Sequence, residues 1–407
     1  MRALLIALLV TLGVAAQPKS PVKIGMSAAF RGPSRALGIE LYRGAQGYFQ
    51  EFNARGGLDG HPVELVAKDD GYNPAPAILN TIELVKKEKV SLLFGYVGTP
   101  TVTRVLPLLK GGFDQPQVLM FPFTGAQPQR QPPYADICFN LRASYREETA
   151  GLIDHLYTLG YRKTGIFYQC DAYGRSGWEG VRRALHARDL GLCAEATYRR
   201  GSSFDQSYLQ QVRILRQAGV DHVICVGSYA ACAGFIRDAR DQQWEIPIAN
   251  VSFVGSESML DLLTKASRKQ GQDYTRRLIN SQVVPSYNDS RLPAVLEYCR
   301  CMNNNPPMPP PKLVGDGPGY RPLPYSFVSF EGYLCAKLMC EMLRRAGPPW
   351  DSRRVVKAAE SMQNFDLGIE SPVSFSQQRH QGLHKVYFTT VARDQFVPLE
   401  DWSGLHP

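Results

Sequence analysis

Five short segments combine glycine with hydroxyl or aromatic side chains, a mixture that suits the recognition of a small ligand. They lie at 95–101, 121–126, 171–174, 227–229 and 252–255, and four of them directly follow a β-rich apolar run. Threonine hydroxyls and glycine N–H groups can donate hydrogen bonds to a ligand oxygen. Thr99 and Thr124, with the N–H groups of Gly98 and Gly125, are therefore the first candidates for contact with a carboxylate or carbonyl.

Motifs for covalent, nucleotide or metal chemistry are missing from the sequence. The segment 174–177 lacks the spacing of a G-x-S-x-G nucleophile elbow, and no Walker or G-x-G-x-x-G loop follows the first predicted strand. His380 and His384 have the spacing of a helical metal site, but Gly382 between them favours an exposed turn. We expect no enzymatic activity, no cofactor and no bound metal.

The elements that would position the candidate segments alternate between β-rich runs and helical patterns. Strands are predicted at 22–26, 63–67, 91–94 and 118–121. The first two are separated by a helix with apolar residues from Leu41 to Phe52 that ends at the glycines 56–57, and the second and third by a helix that begins at Pro74. The same rhythm restarts with strands at 165–168, 223–226 and 248–251 and helices at 147–159, 177–188 and 231–242. Such alternation indicates parallel βα units. The predicted fold class is α/β, with two Rossmann-like doubly wound lobes.

In an open parallel sheet, ligands bind beyond the carboxyl ends of the strands. The five segments should therefore face a cleft between the two lobes, and the cleft should close on a small molecule. Towards the end of the chain, the Pro-rich run 303–324 is interpreted as an inserted surface loop without regular structure. A long helix over 330–346 and strands at 386–391 and 395–398 complete the prediction.

The N-terminal residues have the pattern of a secretory signal peptide. An apolar run over residues 3–14 follows Arg2, and the small residues Ala15 and Ala16 come next. The run is too short to span a bilayer. We predict a signal peptide over residues 1–16 with cleavage after Ala16, and the alternative is an uncleaved anchor.

Charge and cysteine content bear on two further properties, nucleic-acid binding and disulfide bonding. The chain has 407 residues and a net charge of +9, but its basic residues are interspersed with acids and no aromatic–basic module appears, so no nucleic-acid partner is expected. The cysteines number nine, so at least one lacks a partner within the chain. A disulfide from Cys299 or Cys301 to Cys335 or Cys340 is one alternative. The other is that these cysteines act as small apolar side chains.

Several motifs together resemble the periplasmic solute-binding proteins of the leucine/isoleucine/valine-binding type. The motifs lie at 24–27, 32–33, 53–60, 69–70, 97–100, 122–126, 171–174 and 330–333. The resemblance implies the type I periplasmic binding fold, in which a three-crossover hinge joins the lobes. It implies residues 18–141 plus 285–378 for lobe 1, including the 303–324 insertion, and residues 142–284 plus 379–407 for lobe 2.

The resemblance also implies roles for individual residues. Hydroxyl and backbone groups after the third and fourth strands would hold a ligand carboxylate, and Thr99 matches the first hydroxyl position. The second falls at Ala126, two residues from Thr124, and the aromatic position in the first loop falls at Leu37. The residues expected at the ligand are Leu37, Tyr96, Gly98, Thr99, Phe123, Thr124, Gly125, Ala126, Tyr173, Tyr229, Ser252 and Phe253.

One position departs from the pattern of amino-acid-binding members. The acid that would pair with an α-ammonium group aligns with Ser252, and Glu257 and Asp171 are acids that could take its place. A desolvated ammonium without a carboxylate partner is costly. We therefore expect a less polar or carboxylate-only ligand, such as an aromatic acid, an amide or a larger hydrophobe.

The function implied is that of a periplasmic substrate-binding protein. It would capture a small, largely apolar or carboxylate-bearing molecule and deliver it to a membrane ABC permease. Two alternatives remain open: a ligand-sensing subunit for a membrane receptor, and a periplasmic carrier of a larger hydrophobe such as a lipid or sterol.

Overall fold

Two sheets organise the computed structural model, which describes residues 19–304, 306–315 and 319–406. The expected signal peptide over 1–16 lies outside the described residues. The first sheet has the order β2-β1-β3-β4-β5, and all its strand pairs are parallel. Its strands are β1 Val22–Ala28, β2 Val63–Asp69, β3 Leu92–Phe94, β4 Leu119–Met120 and β5 Cys138–Phe139.

The second sheet repeats this order and adds an antiparallel edge, giving β12-β11-β10-β9-β8-β6-β7. The pairs from β6 to β10 are parallel, whereas β10–β11 and β11–β12 are antiparallel. Its strands are β6 Thr164–Gln169, β7 Ala194–Tyr198, β8 His222–Val226, β9 Ile248–Asn250, β10 Leu278–Gln282, β11 Tyr387–Ala392 and β12 Gln395–Pro398. The prediction of an α/β fold with two doubly wound units is confirmed.

Helices connect the strands and cover the sheets. Local signals explain several helix starts: Ser144 and Glu147 form a capping box before the helix that begins at Tyr145, and the Ser326 side chain accepts a hydrogen bond from the Ser329 N–H at the start of the helix that begins at Phe327. The helices are α1 Arg35–Ala54, α2 Pro74–Lys86, α3 Thr99–Gly111, α4 Tyr145–Thr158, α5 Ala172–His186, α6 Leu209–Gln217, α7 Tyr229–Asp241, α8 Ser256–Gln270, α9 Pro293–Asn304, α10 Pro311–Val314, α11 Phe327–Ala346 and α12 Ser352–Glu360.

The chain passes between the two sheets three times. After β5 it enters the second sheet, and after β10 it returns to place α11 against α1 of the first. These two helices approach closely, because a Cβ atom on Gly44 would lie 1.7 Å from the Ser329 carbonyl oxygen. The chain then crosses again to form β11 and β12. This last crossing runs beside the first, since the Asn140 N–H donates to the His380 oxygen at 2.7 Å.

Three expectations need correction. The Pro-rich run 303–324 contains the short helix α10, because Pro311 occupies a first-turn position where its missing N–H costs nothing. The nine cysteines are all free, so the disulfide alternative is wrong, and Cys335 and Cys340 are buried in α11 as small apolar side chains. His380 is buried rather than in an exposed turn, because its ring stacks on Phe139 at 3.8 Å.

Among residues 19–304, 306–315 and 319–406, no three His, Cys, Asp or Glu side chains are grouped so that they could hold a metal ion. In the same ranges, no helix has the length and apolar character needed to cross a bilayer.

Candidate ligand-binding cleft

The ends of β3 and β4 bring two threonine hydroxyls together. The Oγ1 atoms of Thr99 and Thr124 lie 2.6 Å apart, and both residues are buried. Gly98 precedes Thr99 with a φ of 101°, and a Cβ atom there would lie 2.1 Å from the Tyr72 ring. Glycine is therefore required both by the backbone conformation and by the close approach of Tyr72.

Tyr145 extends this polar group. Its ring packs against Gly125, where a Cβ atom would lie 2.6 Å from Tyr145 Cδ1. Burial raises the pKa of the Tyr145 hydroxyl, while the charge of Arg142 and the hydroxyls of Thr124 and Thr99 act in the opposite direction. Within the described part of the chain, this buried hydroxyl lies near the two threonine hydroxyls but makes no hydrogen bond of normal length. Tyr145 thus adds an unused polar atom beside the two threonines.

Aromatic rings from both sheets meet next to these hydroxyls. Phe253, which follows β9, lies 5.2 Å from Phe123 and 6.0 Å from Tyr72, measured between ring centroids. On its other side, Phe253 lies 4.7 Å from Tyr173, whose ring lies 5.3 Å from Tyr145. All five rings are buried. We call Tyr72, Phe123, Tyr145, Tyr173 and Phe253 the aromatic cluster, and it joins the strand ends of the two lobes.

Arg142 places a positive charge at this junction. Its guanidinium lies 4.7 Å from the centroid of the Phe123 ring, and its Nη2 donates to the Ser252 hydroxyl. Burial alone would lower the pKa of Arg142, but the carboxylates of Glu331 and Glu148 outweigh it, so that the pKa is raised. Neither Nε nor Nη1 makes a hydrogen bond to any residue that the structure describes. The cleft therefore contains a buried cation with unused donors.

The acid that the sequence did not supply at position 252 comes from α4. The Glu148 carboxylate accepts hydrogen bonds from the Ser252 N–H at 2.7 Å, from the Ser252 hydroxyl at 3.0 Å and from the Ser281 hydroxyl at 2.6 Å. Arg142 Nη2 lies 3.5 Å from the same carboxylate. Glu148 therefore stands next to Ser252, but its charge is already matched by Arg142.

The two acids named as substitutes make other contacts. Glu257 accepts a hydrogen bond from the Phe327 N–H at 3.1 Å, at the start of α11. Asp171 accepts from the Tyr173 N–H at 2.9 Å and so caps α5. No local motif in the sequence marks Glu148, so it was not predicted as a site residue. The one available signal was its place in the first turn of α4.

The remaining candidates lie in three places. Leu37 and Tyr229 lie where the lobes touch: the Tyr229 hydroxyl accepts from the Ala36 N–H at 3.3 Å, and a Cβ atom on Gly255 would lie 2.8 Å from Leu37. Ala126 is buried beside the threonines, and its N–H donates to Thr124 Oγ1 at 3.3 Å. Tyr96 is not brought to the cleft; its hydroxyl pairs with Thr81 at 3.0 Å inside the apolar core between α2 and α3.

Similarity to known proteins supports the fold and shows the family. The family described as periplasmic binding protein matches residues 21–395. An "Amino acid binding protein" of Pseudomonas aeruginosa is 22% identical over 234 residues, which cover 57% of this chain and 60% of the relative. "Leu/Ile/Val-binding protein homolog 3" of Brucella melitensis is 23% identical over 57% of this chain and 61% of its own length. The chain thus spans about three fifths of these two relatives.

Solved structures match over a longer range. The crystal structure of "a possible leucine/isoleucine/valine-binding protein" from Rhodopirellula baltica has a TM-score of 0.82 and 30% identity, covering 96% of this chain and 98% of that one. A branched chain amino acid ABC transporter structure from Thermus thermophilus with bound valine has a TM-score of 0.78 and 18% identity, over 94% of this chain and 96% of that one. The second likeness concerns the fold alone.

Proposed function

Because this chain belongs to the periplasmic binding protein family, we propose that it captures a small carboxylate-bearing, largely apolar molecule between two lobes and delivers it to a membrane ABC permease. The observation that carries this proposal is the Thr99–Thr124 hydroxyl pair, buried beside the unpartnered Tyr145 hydroxyl at the edge of the aromatic cluster. Such polar atoms can hold a carboxylate, while the rings enclose an apolar body.

We divide the chain into lobe 1, residues 18–141 plus 285–378, and lobe 2, residues 142–284 plus 379–407. The packing of α11 on α1 and the pairing of β10 with β11 support this division. Export through a signal peptide over 1–16 would place the protein in the periplasm, where family members work. Relatives are named as binding proteins, and we propose the same non-enzymatic role here.

A thermal-shift screen tests the ligand class. The purified protein is heated with 4-methylpentanoate or 3-phenylpropanoate, and with the corresponding primary alcohols as matched controls. A ligand that binds only the folded protein stabilises it by about 2.7 kcal/mol at a hundred times its Kd. We expect Tm to rise with the concentration of the acids and to stay constant with the alcohols. A Tm that is unchanged by both acids, or raised equally by the alcohols, would contradict the proposal.

A further inference from the structure

We propose that a cavity beside the first and last crossings of the chain is a second binding site, for a small anion that carries hydroxyl groups, such as a sugar acid. The cavity has a volume of about 330 Å³, which is sufficient for a small molecule. Its walls come from segment 127–135 after β4, from Asn140, from residues 144–147 at the start of α4 and from segment 377–384. None of the described residues that line it belongs to the aromatic cluster, so the site is separate from the cleft.

Asn140 leaves a donor and an acceptor unused in the wall of this cavity. Its backbone is fixed in the first crossing, where its N–H donates to the His380 oxygen at 2.7 Å and its oxygen accepts from the Gly382 N–H at 2.9 Å. The residue is 1% exposed, and neither Nδ2 nor Oδ1 has a hydrogen-bond partner among the described residues. Buried amides are normally satisfied. Because hydroxyl groups can accept from Nδ2 and donate to Oδ1, the unused amide points to a hydroxyl-bearing occupant.

Arg130 gives the cavity a cation that no protein carboxylate neutralises. Its guanidinium donates to neutral oxygens: Nε to the Ala126 carbonyl at 3.1 Å, Nη1 to the Gln381 side chain at 3.0 Å and Nη2 to the Thr124 carbonyl at 3.3 Å. In the described part of the chain it forms no ion pair. Burial lowers the pKa of Arg130 to about 10, and the charge of Arg142 acts in the same direction, so the guanidinium is still charged at neutral pH.

Two further arginines belong to the wall. Arg146 is matched by Glu179, whose carboxylate accepts two hydrogen bonds from it at 2.8 Å. Arg379 is exposed, and its side chain pairs with no carboxylate of the described residues. Arg130 and Arg379 therefore face the cavity as two unmatched positive charges.

Glu147 is the acid among the described residues of the wall, and its carboxylate is already occupied. It accepts hydrogen bonds from the Ser144 N–H at 2.6 Å, from the Gln381 amide at 2.8 Å and from the His384 ring at 2.6 Å. Burial alone would raise the pKa of Glu147, but the His384, Ser144 and Gln381 hydrogen bonds lower it to about 2. With Glu147 ionised against two unmatched arginines, the wall retains one positive charge, and a monoanion would balance it.

Titration calorimetry with gluconate tests the site on the unmodified protein, with sodium chloride at matched ionic strength in every cell. Gluconate joins a carboxylate to a chain of hydroxyl groups, whereas sorbitol has the hydroxyls without the charge and hexanoate the charge without the hydroxyls. Each titration is made with excess 4-methylpentanoate, which is directed at the cleft. We expect gluconate to bind about tenfold or more tightly than either control, because each lacks hydrogen bonds that gluconate makes. Absence of gluconate binding, equal binding of a control, or displacement of gluconate by 4-methylpentanoate would overturn the proposal.

Variants assign the binding to this cavity. Asn140→Asp supplies Arg130 with a carboxylate of nearly the same size as the amide, so the affinity for gluconate should fall about tenfold or more. Arg379→Gln removes an exposed charge and should weaken binding about threefold; it keeps the test decisive if Asn140→Asp does not fold. Arg213→Gln, at an exposed arginine of α6, is the matched control and should change nothing. Unchanged affinity in Arg379→Gln, or an equal loss in Arg213→Gln, would contradict the proposal.

Discussion

The hydroxyl oxygens of Thr99 and Thr124 lie 2.6 Å apart, although 25 positions separate the two residues in the chain. Their contact follows from the parallel pairing of β3 with β4, which brings the carboxyl ends of both strands to one edge of the sheet. Because one hydroxyl must donate to the other, the pair retains one hydrogen for a ligand. The two side chains therefore act as a unit, and removing either one disturbs both.

Thr99→Ala should weaken the binding of 4-methylpentanoate about tenfold, since one hydrogen bond to a charged group contributes about 1.5–3 kcal/mol. Titration calorimetry measures the change. Thr103→Ala is the matched control, because the Thr103 hydroxyl donates to the Thr99 carbonyl within the same helix and has no place at the hydroxyl pair. An unchanged affinity in Thr99→Ala, or an equal loss in Thr103→Ala, would remove the threonine pair from the site.

Two glycines with the same backbone conformation separate the effect of strain from the effect of the site. Gly98 has a φ of 101° and Gly56 a φ of 103°, but a Cβ atom meets the Tyr72 ring only at Gly98, whereas nothing lies within 4 Å of one at Gly56. Gly56→Ala should cost about 1 kcal/mol of unfolding free energy from backbone strain alone.

Gly98→Ala should cost about 2–5 kcal/mol, because the displaced Tyr72 ring adds to the strain, and the folded variant should bind 4-methylpentanoate more weakly. Urea denaturation and calorimetry measure the two effects. If both alanine variants show the same stability and the same affinity, Tyr72 does not depend on Gly98 as the structure indicates.

Glu257 should make stability depend on pH. Burial raises the pKa of its carboxyl group from 4.5 to about 7, against the lowering effects of its own N–H, of the Phe327 N–H and of Tyr287. A raised pKa means that the folded protein holds the proton more tightly. Protonation of Glu257 therefore adds to the free energy of unfolding. This contribution is complete below about pH 4.5 and is lost as the pH rises through about 7.

Glu257→Gln keeps an oxygen for the Phe327 N–H but cannot ionise. At pH 8 the variant should be more stable than the parent by about 1–3 kcal/mol, and the difference should vanish towards pH 4.5. Urea denaturation at both pH values measures it, with the exposed Glu64→Gln as the control. A difference that does not change with pH would show that Glu257 ionises normally in the folded protein.

The sequence predicted the elements better than the side-chain contacts. Alternating strands and helices were recognisable because each depends on local periodicity, and β1 to β4, β6, β8 and β9 lie at predicted strands, whereas β5, β7 and β10 were not predicted. The cleft was predicted from strand ends for the same reason. Tyr96 is different: it also follows a strand, but its side chain enters the core at Thr81, and local pattern does not tell which way a strand-end residue points.

The charged part of the site depends on contacts over long chain distances. Glu148 meets Ser252 across 104 positions, and Arg142 meets it across 110. Neither hydrophobic periodicity nor a local motif predicts such a pairing, because it arises only when the first crossover packs against the end of β9. The same holds for His380, where Gly382 suggested a turn but packing on Phe139 decided burial.

We propose that a ligand is captured between two lobes that move about the three crossovers. The contacts that close the cleft join the lobes directly: the Ala36 N–H donates to Tyr229, the Phe327 N–H to Glu257, and Phe123 packs on Phe253. These contacts must open for a buried ligand to enter. Small-angle X-ray scattering with and without saturating 4-methylpentanoate tests this most directly. We predict a smaller radius of gyration with the ligand, whereas an unchanged profile with calorimetrically confirmed binding would contradict capture by closure.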